Sequence, residues 1–324
     1  MTSPENDAPE TIDLQPDRDR FMSEIIDGLR EDPKLLPCKY LYDQRGSELF
    51  DRICEVEAYY PTRTEMSIFR ANIDAIVERC GRRCALIEYG SGSGMKTRFL
   101  LEHLDDPAAL VPIEISREHL DASVRELAEV FPNLRVIPIC GDYTQKIEIP
   151  PIDDPQPERR VVFFPGSTIG NFHRDEAQQF LARAARVAGS GGGLLIGVDL
   201  KKDPAVLERA YDDPDGVTRE FNLNILRHIN RELGANFDLD AFEHRAVYNE
   251  DEGRVEMRLV SERDQTVRLN GDAIAFETDE YIRTECSYKY TIDEFHALAR
   301  DAGWTPGATW TDPQKLFSVH FMTA

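Results

Sequence analysis

The feature that most constrains this chain is IEYGSGSGMKT at residues 87–97, with Gly90, Gly92 and Gly94 at alternate positions between an apolar run and a helical one. Cys84–Tyr89 reads as a buried strand and residues 96–104 as a helix, so the glycines sit in a strand-to-helix turn. Glycine lets the backbone turn tightly there and approach a ligand with no Cβ in the way. Further strands are expected at residues 110–115, 134–140, 161–164 and 194–198, with helices reaching residue 130 and spanning Arg174–Ala188 between them. Strands alternating with helices imply a parallel sheet with helices on both faces. The expected fold is therefore α/β, a doubly wound Rossmann-like sheet.

On either side of that train the pattern changes. Residues 21–29, 46–53 and 64–78 read as helices before it. After it come a short helix at 205–211 and Val217–Leu233, whose apolar stripe is Phe221, Ile225, Leu226, Ile229 and Leu233. Residues 245–260 and 266–290 alternate β-branched and aromatic residues with charges, as antiparallel strands do. A helix at 292–302 and a strand ending LFSVHFM close the chain with antiparallel additions to the main sheet. The expected division is a disordered, acidic tail at 1–17, a Rossmann-like domain from 62–200 and 287–324, and a smaller α+β lobe from 18–61 and 201–286 over the ligand edge.

Two cofactors use such a glycine turn. A nicotinamide dinucleotide favours G-x-G-x-x-G, because its pyrophosphate rests on the helix N-terminus. Here the spacing is G-x-G-x-G, with Met95 where that motif has its last glycine. S-adenosylmethionine carries no phosphate; it presents an amino-acid end and a sulfonium, which suits an acid before the first glycine, and Glu88 stands there. Ser91 and Lys96 flank the same turn. Glu114 ends the second strand where a ribose-binding carboxylate is expected. Asp142 follows the third strand, placed for the adenine amine, with Tyr143 beside the ring.

Charge narrows the partners. The formal net charge is −22, which repels phosphate backbones and argues against nucleic acid. With 41% hydrophobic and 30% charged residues, and no apolar run of bilayer length, the expected protein is soluble, without a membrane partner. No secretion signal is visible at the start, so a cytoplasmic location and a monomeric state are expected. The six cysteines and seven histidines show no zinc-type spacing, so no metal is expected.

Beyond the glycine turn, YLYDQRGSELFDRI, EAYYPTRTE, EYGSGSGMKTRFLL, VPIEIS, FFPGSTIGNF, EFNLNIL and IRTECSYKYT occur in that order. Together they resemble the histidine Nα-methyltransferases of ergothioneine biosynthesis, from about residue 20 to the C-terminus. The resemblance implies a class I S-adenosylmethionine-dependent fold, a second domain, and trimethylation of the α-amine of L-histidine to hercynine. It implies that Asn171 and Tyr211 hold the substrate carboxylate, that Glu285 and Ser287 read the imidazole, and that Met257 lines the pocket. Of the N-terminal tyrosines, Tyr42 and Tyr59 match best, with Tyr40 and Tyr60 adjacent, and they are the catalytic candidates. The family often has Asp where this chain has Glu114. A tyrosine hydroxyl or a water would take the amine proton, or the amine would bind neutral. Aromatic faces, Phe164 and Phe172 among them, would hold the quaternary nitrogen.

Taken singly, these residues have plainer readings. A strand Glu is usually solvated, a Met is usually core, Asn171 could cap a helix, and the tyrosines could be packing residues. The competing functions are methylation of another amine such as a tryptophan derivative, a nicotinamide-dependent oxidoreductase, and a cofactor-binding protein without turnover.

Overall fold

The computed structural model describes residues 9–14, 18–92 and 94–324. Along the chain run β1 (Ile12–Leu14), α1 (Arg18–Leu29), β2 (Lys34–Leu35), α2 (Gln44–Glu55), α3 (Tyr60–Cys80), β3 (Cys84–Tyr89), α4 (Met95–Leu101), β4 (Ala109–Glu114), α5 (Arg117–Val130), β5 (Ile139–Gly141), β6 (Arg159–Phe164) and α6 (Arg174–Ala188). They continue with β7 (Gly193–Asp199), α7 (Pro204–Tyr211), α8 (Val217–Leu233), β8 (Phe242–Asn249), β9 (Arg254–Ser261), β10 (Gln265–Leu269), β11 (Asp272–Phe276), β12 (Tyr281–Tyr288), α9 (Ile292–Asp301), β13 (Thr305–Thr311) and β14 (Phe317–Thr323).

Eight strands form one sheet in the order β1-β5-β4-β3-β6-β7-β14-β13. It is parallel from β1 to β7 and finished by antiparallel β14 and β13. Every residue of β3 is buried, as a strand covered on both faces requires. Its alternation divides the core. Ala85, Ile87 and Tyr89 share a cluster with Phe180 of α6 and Phe295 of α9, whereas Cys84 and Leu86 share one with Ile76 of α3, Leu100 of α4 and Leu120 of α5. This is the doubly wound α/β sheet expected from the strand–helix train, with the antiparallel additions expected at its end.

A four-stranded sheet, β2-β12-β9-β8, builds the smaller lobe. Its core joins the N-terminal segment to the later chain, with Ile25, Leu41 and Ile53 packed among Leu207, Phe221, Leu259 and Ile282. β2 pairs in parallel with β12, Lys34 opposite Ile282, which ties the two segments.

Three expectations change. Ile12–Leu14 are not a disordered tail; they pair in parallel with Ile139–Gly141 at the sheet edge, while residues 1–8 and 15–17 lie outside the described residues. The third strand is shorter than 134–140, because Pro138 has no N–H to give to a ladder, and only a single bridge, Leu110 to Val136, precedes it. Ser287 and Tyr288 belong to the smaller lobe and not to the Rossmann-like part, since β12 pairs with β9 through Tyr288 opposite Arg254.

The two parts meet closely behind β6. The turn Thr168–Asn171 lies on β12, where a Cβ on Gly170 would stand 2.7 Å from the Tyr288 carbonyl oxygen and 3.4 Å from the Ser287 hydroxyl. Gly170→Ala is expected to lower stability by roughly 1–3 kcal/mol through overpacking against backbone. Urea unfolding would read it as a lower midpoint at constant slope; an unchanged midpoint would mean the gap opens freely.

Candidate active site

The carboxyl ends of β3, β4, β5 and β6 face the smaller lobe across a cavity of about 540 Å³. The sheet side contributes Gly90, Gly92, Glu114, Asp142, Tyr143 and Asn171, and the lobe contributes Cys38, Lys39, Tyr42, Phe50 and Glu285. Phe172 also lines it. No helix among the described residues is long and apolar enough to cross a membrane, and they contain no cluster of metal-binding side chains.

At the turn, Gly90, Gly92 and Gly94 have φ of 74°, 48° and 67°. These are left-handed conformations that favour glycine. Glu88 is buried beneath it. One carboxylate oxygen accepts from the Thr97 hydroxyl, and the other, Oε2, has no partner among the described residues. Burial pushes this carboxyl up to about 8, and the Thr97 hydrogen bond opposes it. The hydroxyl of Ser91 is also buried without a partner. An orphaned acid and an orphaned hydroxyl at one glycine turn fit a ligand that carries an ammonium and polar groups. Glu114 accepts from the Gly92 N–H at 3.2 Å and from the Ile115 N–H at 2.8 Å.

Asp142 is held from two sides. Oδ1 accepts from the Thr144 N–H at 2.9 Å, and Oδ2 pairs with the Lys39 ammonium at 2.9 Å. Burial raises its carboxyl, but Thr144 and Lys39 together hold it below the usual range. Tyr143 turns its ring edge toward Gly90, 3.8 Å from where a Cβ would stand. Lys96 takes a different place from the one expected: its ammonium pairs at 2.5 Å with Glu65, which also accepts from the Gly166 N–H.

On the lobe side, Glu285 and Ser287 are two apart on β12 and so share a face. Met257 sits opposite Glu285 on β9, buried. The Glu285 carboxylate makes no hydrogen bond to any described residue. Burial pushes it up to about 7, opposed by the charge of Lys289. The Ser287 hydroxyl is held in place, 2.8 Å from the Tyr211 hydroxyl and 2.7 Å from the Lys289 ammonium. Tyr42 meets Phe50 and Phe221 edge-on, with centroids 5.6 and 5.4 Å apart, and Tyr59 meets Tyr211 at 6.0 Å.

The structure therefore brings Tyr42, Asn171 and Glu285 to the same cavity wall as Gly90, Gly92, Glu114, Asp142 and Tyr143. Tyr59, Tyr211, Met257 and Ser287 are buried beside it. Burial raises the phenols of Tyr42 and Tyr59 well above their ordinary value. Sequence reading missed Lys289, Asp199 and Lys39, and named Tyr60 only as the neighbour of Tyr59. Asp199 ends a buried strand as Glu114 does, and Lys289 continues the 285, 287, 289 alternation, so both carried a signal. Lys39 had none.

A doubly wound sheet whose glycine turn and edge carboxylates open on one covered cleft defines a methyltransferase of the S-adenosylmethionine-dependent class. Comparison with known proteins narrows this. The family described as histidine-specific methyltransferase, SAM-dependent, matches residues 21–324, and the chain belongs to that family. It is 40% identical over 301 residues to a histidine N-alpha-methyltransferase of Mycobacterium tuberculosis (strain CDC 1551 / Oshkosh), spanning 91% of this chain and 92% of that protein. It is also 40% identical to one of Mycolicibacterium smegmatis, over 90% of this chain and 91% of the other. A 4-dimethylallyltryptophan N-methyltransferase of Claviceps purpurea is 28% identical, over 91% of this chain and 92% of that protein.

Proposed function

We propose that the chain methylates the α-amine of L-histidine three times in succession, yielding hercynine for ergothioneine biosynthesis. The observation that carries this reading is the unpartnered Glu285 carboxylate on the cavity wall, with the Ser287 hydroxyl on the same strand face. An acid and a hydroxyl so placed match the two nitrogens of one imidazole. Asn171, whose amide bonds to no described residue, and Tyr211 take the substrate carboxylate. Met257 and Tyr59 shape the floor.

S-adenosylmethionine supplies an electrophilic methyl on its sulfonium when bound. Glu88 and Ser91 hold its amino-acid end, Glu114 its ribose, and Asp142 with Tyr143 its adenine. Lys96, in the first turn of α4, is paired with Glu65. The residues do their work by positioning, since the amine must meet the methyl in line and near contact. The amine arrives neutral or gives its proton to water. Tyr42, Tyr59 and Phe172 then offer ring faces to the quaternary nitrogen, at roughly 0.5–2 kcal/mol per contact. On this reading the enzyme is a cytoplasmic monomer working on a free amino acid, with no nucleic-acid or membrane partner.

A panel of amino acids incubated with methyl-labelled cofactor tests the substrate. Label is expected in histidine; transfer to a tryptophan derivative in its place would overturn the assignment. Asp142→Ala is expected to weaken cofactor binding about tenfold through loss of one hydrogen-bonding carboxylate. Histidine binding should be nearly unchanged. Calorimetry with each ligand separately checks this, and equal loss of both would remove Asp142 from the adenine site.

A further inference from the structure

Lys289 follows β12, two residues past Ser287, and is fully buried. An ammonium in such a place must be paired and hydrogen-bonded. Asp199 supplies the charge at 2.8 Å, and itself also binds the Tyr60 hydroxyl and Lys202. An ammonium has three protons and no lone pair. Those of Lys289 go to Asp199, to the Tyr211 hydroxyl at 2.9 Å and to the Ser287 hydroxyl at 2.7 Å. Both hydroxyl oxygens are therefore acceptors toward Lys289. The 2.8 Å bond between them uses one of their two protons, so a single hydroxyl proton remains for a ligand.

Lys289 also acts on Glu285. Among the described residues it is the one charged group that does so. The other titratable groups that feel Glu285 are Cys38 at the start of the short turn Cys38–Leu41 and Tyr42 just after it, Tyr59 before α3, Tyr143 after β5, Tyr211 at the end of α7, and Cys286 on β12 itself. Burial raises each of them, so all are neutral at pH 7 and none balances the carboxylate.

We propose that Lys289 is the positioning residue of substrate recognition: its ammonium leaves one proton of the Tyr211–Ser287 pair for the substrate and supplies positive charge that favours the ionised Glu285 carboxylate. The inference rests on the histidine reading above. It assigns to a residue that touches no substrate the proton count of the Tyr211–Ser287 pair, which gives its one free proton from Tyr211 to the carboxylate or from Ser287 to the ring, and the charge state of Glu285.

The test is histidine affinity against pH, by calorimetry with S-adenosylhomocysteine present, for the unmodified chain, Lys289→Met and Lys202→Met. In the unmodified chain affinity falls as pH drops below about 7, where Glu285 gains a proton. In Lys289→Met that acid limb moves up by about one pH unit or more, and affinity at neutral pH falls about tenfold or more. S-adenosylhomocysteine affinity stays the same. Lys202→Met removes the other cation on Asp199 and leaves the limb in place. The titration of histidine itself is common to all three proteins. Should Lys289→Met fail to fold because Asp199 is left short of a partner, Asp199→Asn/Lys289→Met removes that carboxylate too and carries the same expectation. An acid limb unmoved by the loss of Lys289, or a proportionate loss of S-adenosylhomocysteine affinity, overturns the proposal. Absence of histidine binding by the unmodified chain at every pH overturns the histidine reading and this inference with it.

Discussion

Glu285→Ala will weaken histidine binding about 10- to 100-fold, while cofactor affinity stays within about twofold. The carboxylate has no hydrogen-bond partner among the described residues and stands on the cavity wall, so a ligand is what completes it. A hydrogen bond to a charged group contributes roughly 1.5–3 kcal/mol. The substituted site also loses its means of telling an imidazole from an apolar ring of similar size. Without ligand the variant should be no less stable than the parent. Burial raises the Glu285 carboxyl to about 7 against the opposing charge of Lys289, so the fold carries a desolvated charge, only partly offset, above that pH and a neutral acid well below it. The stability gained by removing Glu285 is therefore absent in acid, where folded and unfolded chains both hold the proton. It appears as pH rises past the usual carboxylate range and is complete above about 7. Histidine and S-adenosylhomocysteine titrations on the same preparation decide the matter, and equal weakening of both would deny Glu285 its role.

Glu88→Gln is expected to separate stability from cofactor binding in the same way. Its Oε2 is buried with no partner, and the carboxyl is pushed up to about 8. Replacing it with an amide of the same shape removes a desolvated charge. Thermal unfolding of the ligand-free variant should show a gain of roughly 1–3 kcal/mol at alkaline pH, the usual penalty for an unsatisfied buried group. The sign follows from the raised carboxyl. Below the usual carboxylate range there is nothing to gain, and the gain grows to its full value above about pH 8. Cofactor affinity should fall about 100-fold, since the ammonium of the amino-acid end loses its counter-charge. A variant that is destabilised in alkali, or that binds cofactor as before, would show that Glu88 serves the fold and not the ligand.

Much of the architecture was legible because it follows from periodicity. Arg174–Ala188 and Val217–Leu233 are helices over the ranges their apolar spacing indicates. The glycine turn lies between the strand and helix its flanks require. The misread segments have local causes. Pro138 interrupts an otherwise apolar strand, and Ile12–Leu14 find a partner only through the distant Ile139–Gly141, which no local pattern announces. The boundary at residue 287 missed because β12 is one continuous strand whose last residues pair with β9.

The site was legible where a residue type is unusual for its place. An acid before a glycine turn and an acid at a strand end both stand out. Tyr211 and Asn171 were found through the family resemblance, since nothing local distinguishes them from a packed tyrosine and a helix cap. The network behind them was invisible, because Asp199, Tyr60, Lys202 and Lys289 come from three separate parts of the chain. Only the fold shows that one buried ammonium serves both Ser287 and Tyr211.

The most direct measurement is the position of the methyl groups on the product, read by fragmentation mass spectrometry after histidine and S-adenosylmethionine are incubated with the protein. A ring gripped through both nitrogens leaves the α-nitrogen alone to react, so every methyl should lie there and the imidazole should be unsubstituted. Methyl found on a ring nitrogen, or histidine recovered unchanged, would contradict the account.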